Sequence, residues 1–124
     1  MRDTEKRERL ARIFKKYARL GLADKRLDVF EVCFRIYAYT HRGRASQESE
    51  KREARELFAV WETCRLLTLC GKRESLRIFE EAYLRGKANS ALSIANKYHC
   101  DERTVYRHLS LVEKNYEAVR RSLK

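Results

Sequence analysis

The sequence predicts an all-α fold, a helical bundle with a long helix at its C-terminal end. Proline is absent and only four glycines punctuate the 124 residues, so few positions interrupt helices. Apolar residues recur at intervals of three and four along most of the chain. A hydrophobic content of 44% is enough for the core of one domain of this length.

The first two helices are predicted near residues 4–20 and 24–41. Gly21 stands where the C-cap of the first helix belongs, and Asp24 can cap the start of the second. The apolar stripe of the first helix is Leu10, Ile13, Phe14, Tyr17 and Leu20. The inward face of the second is predicted to carry Leu27, Phe30, Cys33, Phe34 and Tyr37.

The third and fourth helices are predicted near residues 47–70 and 73–85. A stretch without large apolar residues precedes the third, and Ser46 offers a helix start there. The four helices form an N-terminal part, residues 1–86, which contains no catalytic or phosphate-binding motif. We therefore expect no enzymatic activity and no cofactor.

Residues 87–124 are predicted to form a second part, packed with the first as one compact domain. A short helix, capped by Asn89 or Ser90, leads to a turn at His99, and Asp101 then has the residue type that caps a new helix. The two helices would share a small core of Ile94, Ala95, Tyr98, Val105 and Leu109. Helix, tight turn and second helix are the layout of a helix-turn-helix.

The stretch IANKYHCDERTVYRHL, residues 94–109, resembles the helix-turn-helix of sigma-factor region four and of phage late-transcription regulators of the ArpU and RinA type. The run from Asp101 to Arg107 carries most of the likeness, which extends over roughly residues 88–112. The resemblance implies a sequence-specific, DNA-binding transcriptional regulator of phage or prophage origin. His99 stands where many such units have glycine, because the turn often needs a positive φ, which histidine tolerates better than most residues.

A helix-turn-helix predicts two kinds of contact with double-stranded DNA. The helix over residues 102–110 would enter the major groove. The candidates for contact with base edges are Arg103, Tyr106, Arg107 and Ser110. The candidates for contact with backbone phosphates are Ser90, Lys97, Thr104 and His108.

The net charge of +11 and the pI near 9.8 favour polyanionic partners. The excess of basic residues is spread over both parts of the chain, so it does not identify which polyanion is bound. Three alternatives therefore stay open: a helical protein-interaction module for RNA polymerase or a sigma factor, a DNA-packaging adaptor similar to a small terminase subunit, and an αα-hairpin that only completes the bundle. The DNA-binding fragment of a recombinase would need a catalytic domain that this chain lacks.

Downstream of the turn, an a/d heptad seam runs to the C-terminus through Val105, Leu109, Val112, Tyr116, Val119 and Leu123. An N-terminal helix of the same chain could cover this seam, which we favour, or the same helix of a second subunit could do so in a homodimer.

The four cysteines show no CxxC spacing, and we interpret three of them as buried on apolar helix faces in a reducing cytoplasm. A zinc site of His99, Cys100 and His108 would match no known ligand spacing, so no metal is expected. No apolar run approaches the roughly 20 residues that cross a bilayer, so no membrane partner is expected either.

Overall fold

The sequence between the glycines favours helices, and most of the described residues are helical. The structure, a computed structural model, describes residues 3–24, 26–40, 47–83 and 91–123, and this part of the chain contains no strand. Its helices are α1 Asp3–Arg19, α2 Val29–Thr40, α3 Gln47–Leu69, α4 Arg73–Tyr83, α5 Ala91–Lys97 and α6 Glu102–Ser122. The predicted all-α fold with a long C-terminal helix is confirmed.

Glycine ends α1 and α3 in the same way. Gly21 and Gly71 both have a φ of 73°, a left-handed conformation that costs glycine no Cβ clash. The residue after each glycine donates a backbone hydrogen bond to the last turn of the helix. Leu22 donates to the Tyr17 carbonyl at 3.3 Å, and Lys72 donates to the Leu67 carbonyl at 2.7 Å. These are Schellman caps, and they turn the chain sharply enough for each following segment to pack back on the bundle.

Helix α2 begins five residues later than the sequence predicts, and its predicted N-cap is wrong. The Asp24 carboxylate accepts hydrogen bonds from the Arg26 guanidinium and backbone N–H in a local turn, and these bonds lower its pKa to about 2. Asp28 caps α2 instead, because its side chain accepts a 2.8 Å hydrogen bond from the N–H of Glu31. Both aspartates suit a cap, and only the location of the first helical turn distinguishes them.

The predicted inward face of α2 is also wrong, apart from Leu27, which precedes the helix and packs against the core. Val32, Ile36 and Thr40 are buried, whereas Phe30 is 82% exposed and Phe34 is 67% exposed. Cys33 and Tyr37 lie on the same outer side. Only two of the twelve residues of α2 are charged, so apolar stripes run along both sides of it. Packing against α3 decides which stripe enters the core.

One hydrophobic core joins the two parts of the chain. Helix α6 packs along α3 and α4, and α1 packs on α3. The core draws side chains from all six helices, among them Leu10, Phe14, Val32, Leu57, Val60, Phe79, Ile94 and Val112. The heptad seam of α6 is therefore covered largely within the chain, since Val105, Leu109, Val112 and Val119 are buried and Tyr116 and Leu123 are half-buried.

The cysteines are less buried than the sequence predicts. Cys33 and Cys70 are exposed, Cys64 and Cys100 are half-buried, and all four are free thiols. Cys33 is exposed because it lies on the outer side of α2. Burial, together with the nearby Glu80 carboxylate, raises the pKa of the Cys64 thiol to about 12.

No helix among the described residues combines the length and the apolar character needed to span a membrane.

Candidate nucleic-acid interface

The turn between α5 and α6 is a third Schellman cap, built without glycine. The N–H of Cys100 donates to the Ala95 carbonyl at 2.9 Å, and the N–H of His99 donates to the Asn96 carbonyl at 3.4 Å. His99 has a φ of 54° and is the only non-glycine residue with a positive φ in the described part of the chain. Histidine thus occupies the position that glycine occupies after α1 and α3.

Asp101 starts α6 as the sequence predicts. It has an extended backbone, with φ −80° and ψ 150°, and its carboxylate accepts a 2.8 Å hydrogen bond from the N–H of Arg103. Its carbonyl accepts from the N–H of Thr104 at 2.9 Å. The cap satisfies donors of the first turn and sets the direction in which α6 leaves the turn.

The inner faces of α5 and α6 meet over the predicted small core. Ile94, Ala95, Val105 and Leu109 are each buried, and Tyr98 is half-buried against them. Ala95 lies near the middle of α5 and is buried, and its small side chain permits a close approach of the two helices. Because this face of α6 is held inside, the opposite face points to solvent.

The outer face of α6 carries the predicted base-contact residues. Arg103, Tyr106, Arg107 and Ser110 line a shallow depression together with Leu111 and Lys114. The side chain of Arg103 is 85% exposed, and its guanidinium lies 3.8 Å from the carboxylate of Asp101, whose side chain is 61% exposed, so the pair contributes little energy. Arg107 is exposed and has no ion-pair partner among the described residues.

One edge of this face is held by α1. The guanidinium of Arg7 donates to the Ser110 hydroxyl at 3.0 Å and to the Glu113 carboxylate at 3.2 Å. Its Cζ also lies 5.8 Å from the centroid of the Tyr106 ring. Ser110 is therefore engaged at the rim of the depression, while Tyr106 remains about half exposed.

The predicted phosphate-contact residues are placed less uniformly. The ammonium of Lys97 donates to the Glu81 carboxylate of α4 at 2.6 Å. His108 Nδ1 lies 2.7 Å from the buried Ser75 hydroxyl of α4, which ties the ring to the bundle. Thr104 is half-buried in the first turn of α6, and Ser90 lies outside the described residues. Two of the four side chains are thus occupied within the fold.

Lys114 and Arg7 belong to this surface and were missed from the sequence. Lys114 follows Arg107 by seven residues, which is two helical turns. Extending the helical periodicity beyond Ser110 would therefore have identified Lys114 from the sequence. No local sequence pattern identifies Arg7, because its partners Ser110 and Glu113 are more than a hundred residues away in the sequence.

The strained turn provides a test of this geometry. We expect His99→Gly to raise the free energy of unfolding by about 0.5–1 kcal/mol, because removing the Cβ relieves the left-handed backbone, partly offset by the greater freedom of glycine in the unfolded chain. Gly71→Ala is the matched control: a Cβ there meets no atom within 4 Å, so the φ strain alone should lower stability by a similar amount. Urea denaturation measures both, and a destabilising His99→Gly would contradict the assigned turn.

The outer face of α6 combines forked and point cations with a half-exposed aromatic ring, a chemistry suited to phosphates and base edges. The described residues include no group of three histidine, cysteine or acidic side chains that could hold a metal ion. Comparison of the chain with protein-family models, curated proteins and solved structures finds no match to any of them.

Proposed function

We propose that this protein is a sequence-specific, DNA-binding transcriptional regulator that reads the major groove with residues 102–110 of α6. The observation that supports this most is the placement of Arg103 and Arg107. Both extend into solvent from the first turns of a capped helix whose opposite face is anchored in the core. The phage or prophage origin implied by the resemblance to sigma-factor region four and the ArpU and RinA type is part of the same proposal.

The dimensions of α6 suit this role. An α-helix with its side chains is about 10–12 Å wide, which matches the roughly 12 Å width of the B-DNA major groove. Arg103 and Arg107 are one turn apart and can each donate a forked pair of hydrogen bonds to guanine O6 and N7. Tyr106 between them can contact a thymine methyl group or a phosphate.

Phosphate contacts would fix the position of the helix along the groove. Lys114 lies two turns beyond Arg107 on the same face and can meet the backbone where α6 leaves the groove. Lys97 could contact a phosphate only after breaking its hydrogen bond to the Glu81 carboxylate. His108 would likewise first have to break its hydrogen bond with the Ser75 hydroxyl. We therefore assign the backbone contacts chiefly to Lys114 and Thr104.

The proposal is tested by selecting bound duplexes from a random pool and then titrating the selected site by fluorescence anisotropy. We expect Arg107→Ala to weaken binding to that site by about 1–3 kcal/mol, roughly 5- to 150-fold, and to relax base preference at one position. The control is Arg12→Ala on the exposed side of α1, which removes the same charge away from the groove-reading face. It should weaken all duplexes slightly and equally.

Three results would contradict the assignment. If Arg107→Ala weakens every duplex by the same factor as Arg12→Ala, α6 does not read bases. If the full chain shows no salt-dependent duplex binding, the counterion release that phosphate contacts require is missing, and an interaction module for RNA polymerase or a sigma factor becomes the better reading. A ring-shaped oligomer would favour the DNA-packaging adaptor.

A further inference from the structure

Helix α2 presents an apolar face that the described residues leave exposed. Phe30, Phe34 and Tyr37 are 82%, 67% and 61% exposed, and Val29 and Cys33 border them. The opposite side of the same helix is already buried through Val32 and Ile36. A helix that is apolar on both sides is normally buried on both, and a contiguous exposed apolar patch marks an interaction surface.

We propose that this face, Val29, Phe30, Cys33, Phe34 and Tyr37, is where two copies of the chain pair, with α2 antiparallel to α2 about a two-fold axis near Cys33. The proposal does not depend on DNA binding, and its test contains no DNA.

The charges of α2 allow a second copy to approach at this face. The chain carries a net charge of +11, so two copies repel one another wherever their cationic surfaces meet. Within α2 the charges cancel, because Glu31 and Arg35 form a 3.0 Å ion pair one turn apart. Two copies can therefore meet at α2 with an apolar contact and no like charges across it.

Two-fold symmetry also makes the face complementary to itself. Glu31 and Arg35 lie along one edge of the apolar face, two residues before and two residues after Cys33. An axis perpendicular to α2 at Cys33 reverses the helix direction and keeps each edge on its own side, so Glu31 of each copy meets Arg35 of the other. Cys33 lies on the opposite edge, close to its own counterpart.

The exposed area indicates a weak dimer. Aromatic side chains offer about 150–250 Å² each, so at the observed exposures the three rings supply roughly 300–500 Å² per copy. This is well below the roughly 800 Å² per partner of a standard interface, and we expect a dissociation constant on the order of hundreds of micromolar.

Sedimentation equilibrium of the full chain from about 10 µM to about 1 mM tests the proposal over the range that so small an interface requires. We expect a monomer–dimer equilibrium, which Phe34→Glu weakens at least about 100-fold by placing a carboxylate in the centre of each apolar face. Leu69→Glu is the control, because it replaces an equally exposed apolar side chain at the end of α3 and should leave dimerisation unchanged. Thermal unfolding of both variants verifies that they fold.

Two further measurements address the symmetry. Glu31→Arg and Arg35→Glu should each weaken the dimer several-fold, and the double exchange should restore it, since opposite charges then meet again across the axis. Mild oxidation should cross-link two chains through Cys33, so that Cys70→Ser retains the cross-link and Cys33→Ser loses it. A chain that stays monomeric at the highest concentration, a dimer unaffected by Phe34→Glu, or cross-linking through Cys70 alone would overturn the proposal.

Discussion

Replacing Phe79 by alanine is expected to lower the free energy of unfolding by about 3–5 kcal/mol. Phe79 in α4 is fully buried, and its ring packs at a tilt against Phe14 of α1 with centroids 4.9 Å apart. The substitution removes the apolar contacts of a whole ring and leaves a cavity where α4 meets the rest of the core. Because domains of this size are stable by only about 5–15 kcal/mol, much of the stability should be lost.

Urea denaturation followed by circular dichroism measures this effect, with Phe34→Ala on α2 as the matched control. The same substitution at a side chain that is 67% exposed should change the free energy of unfolding by no more than about 0.5 kcal/mol. Both are measured at low micromolar concentration, so that association does not contribute. Equal losses at the two positions would mean that the outer face of α2 is covered in the folded chain.

Replacing Arg7 by alanine is expected to cost about 2–4 kcal/mol, slightly below the range for fully buried ion pairs because a little of each side chain still meets water. The Arg7 and Glu113 side chains are only 11% and 14% exposed. Without Arg7, the Glu113 carboxylate loses its cation and the Ser110 hydroxyl loses its donor, while neither regains full hydration.

A double-mutant cycle with Arg7→Met and Glu113→Met separates the pair from the packing around it. Each single change should be strongly destabilising, and the double variant should recover most of the loss, because no unpaired charge is then left in the interface. Strictly additive losses would show that the two side chains do not act as a pair. Since Arg7 contacts Ser110 and lies over Tyr106, the same interaction also holds the N-terminal end of α1 against the proposed DNA-reading face.

Several features of the candidate site could be predicted because their causes are local. Asp101 caps α6 through a hydrogen bond to a residue only two positions away, and the strain at His99 arises from the helix end it terminates. The exposure of Arg103 and Arg107 follows from the 3.6-residue period once Val105 and Leu109 are inside.

Other features could not be predicted, because their causes lie in distant parts of the chain. Lys97 and His108 have the residue types of phosphate contacts, yet α4 supplies Glu81 to one and Ser75 to the other. Asp24 and Asp28 both suit an N-cap, and the outcome depended on where the first turn of α2 could form while the helix packs on α3. A search for local patterns cannot rank such alternatives.

The sequence by itself determined the helical class, the ends of α1 and α3 at glycine, and the layout of helix, turn and capped long helix at the C-terminal end. These depend on backbone preferences and hydrogen bonds within about four residues, which a linear pattern records. The tertiary structure decided which side of α2 is buried, that the α6 seam closes on α3 and α4, and which polar side chains of α5 and α6 stay available to a partner. These depend on burial and pairing between residues far apart in the chain, where the gain from removing apolar surface from water outweighs local preference.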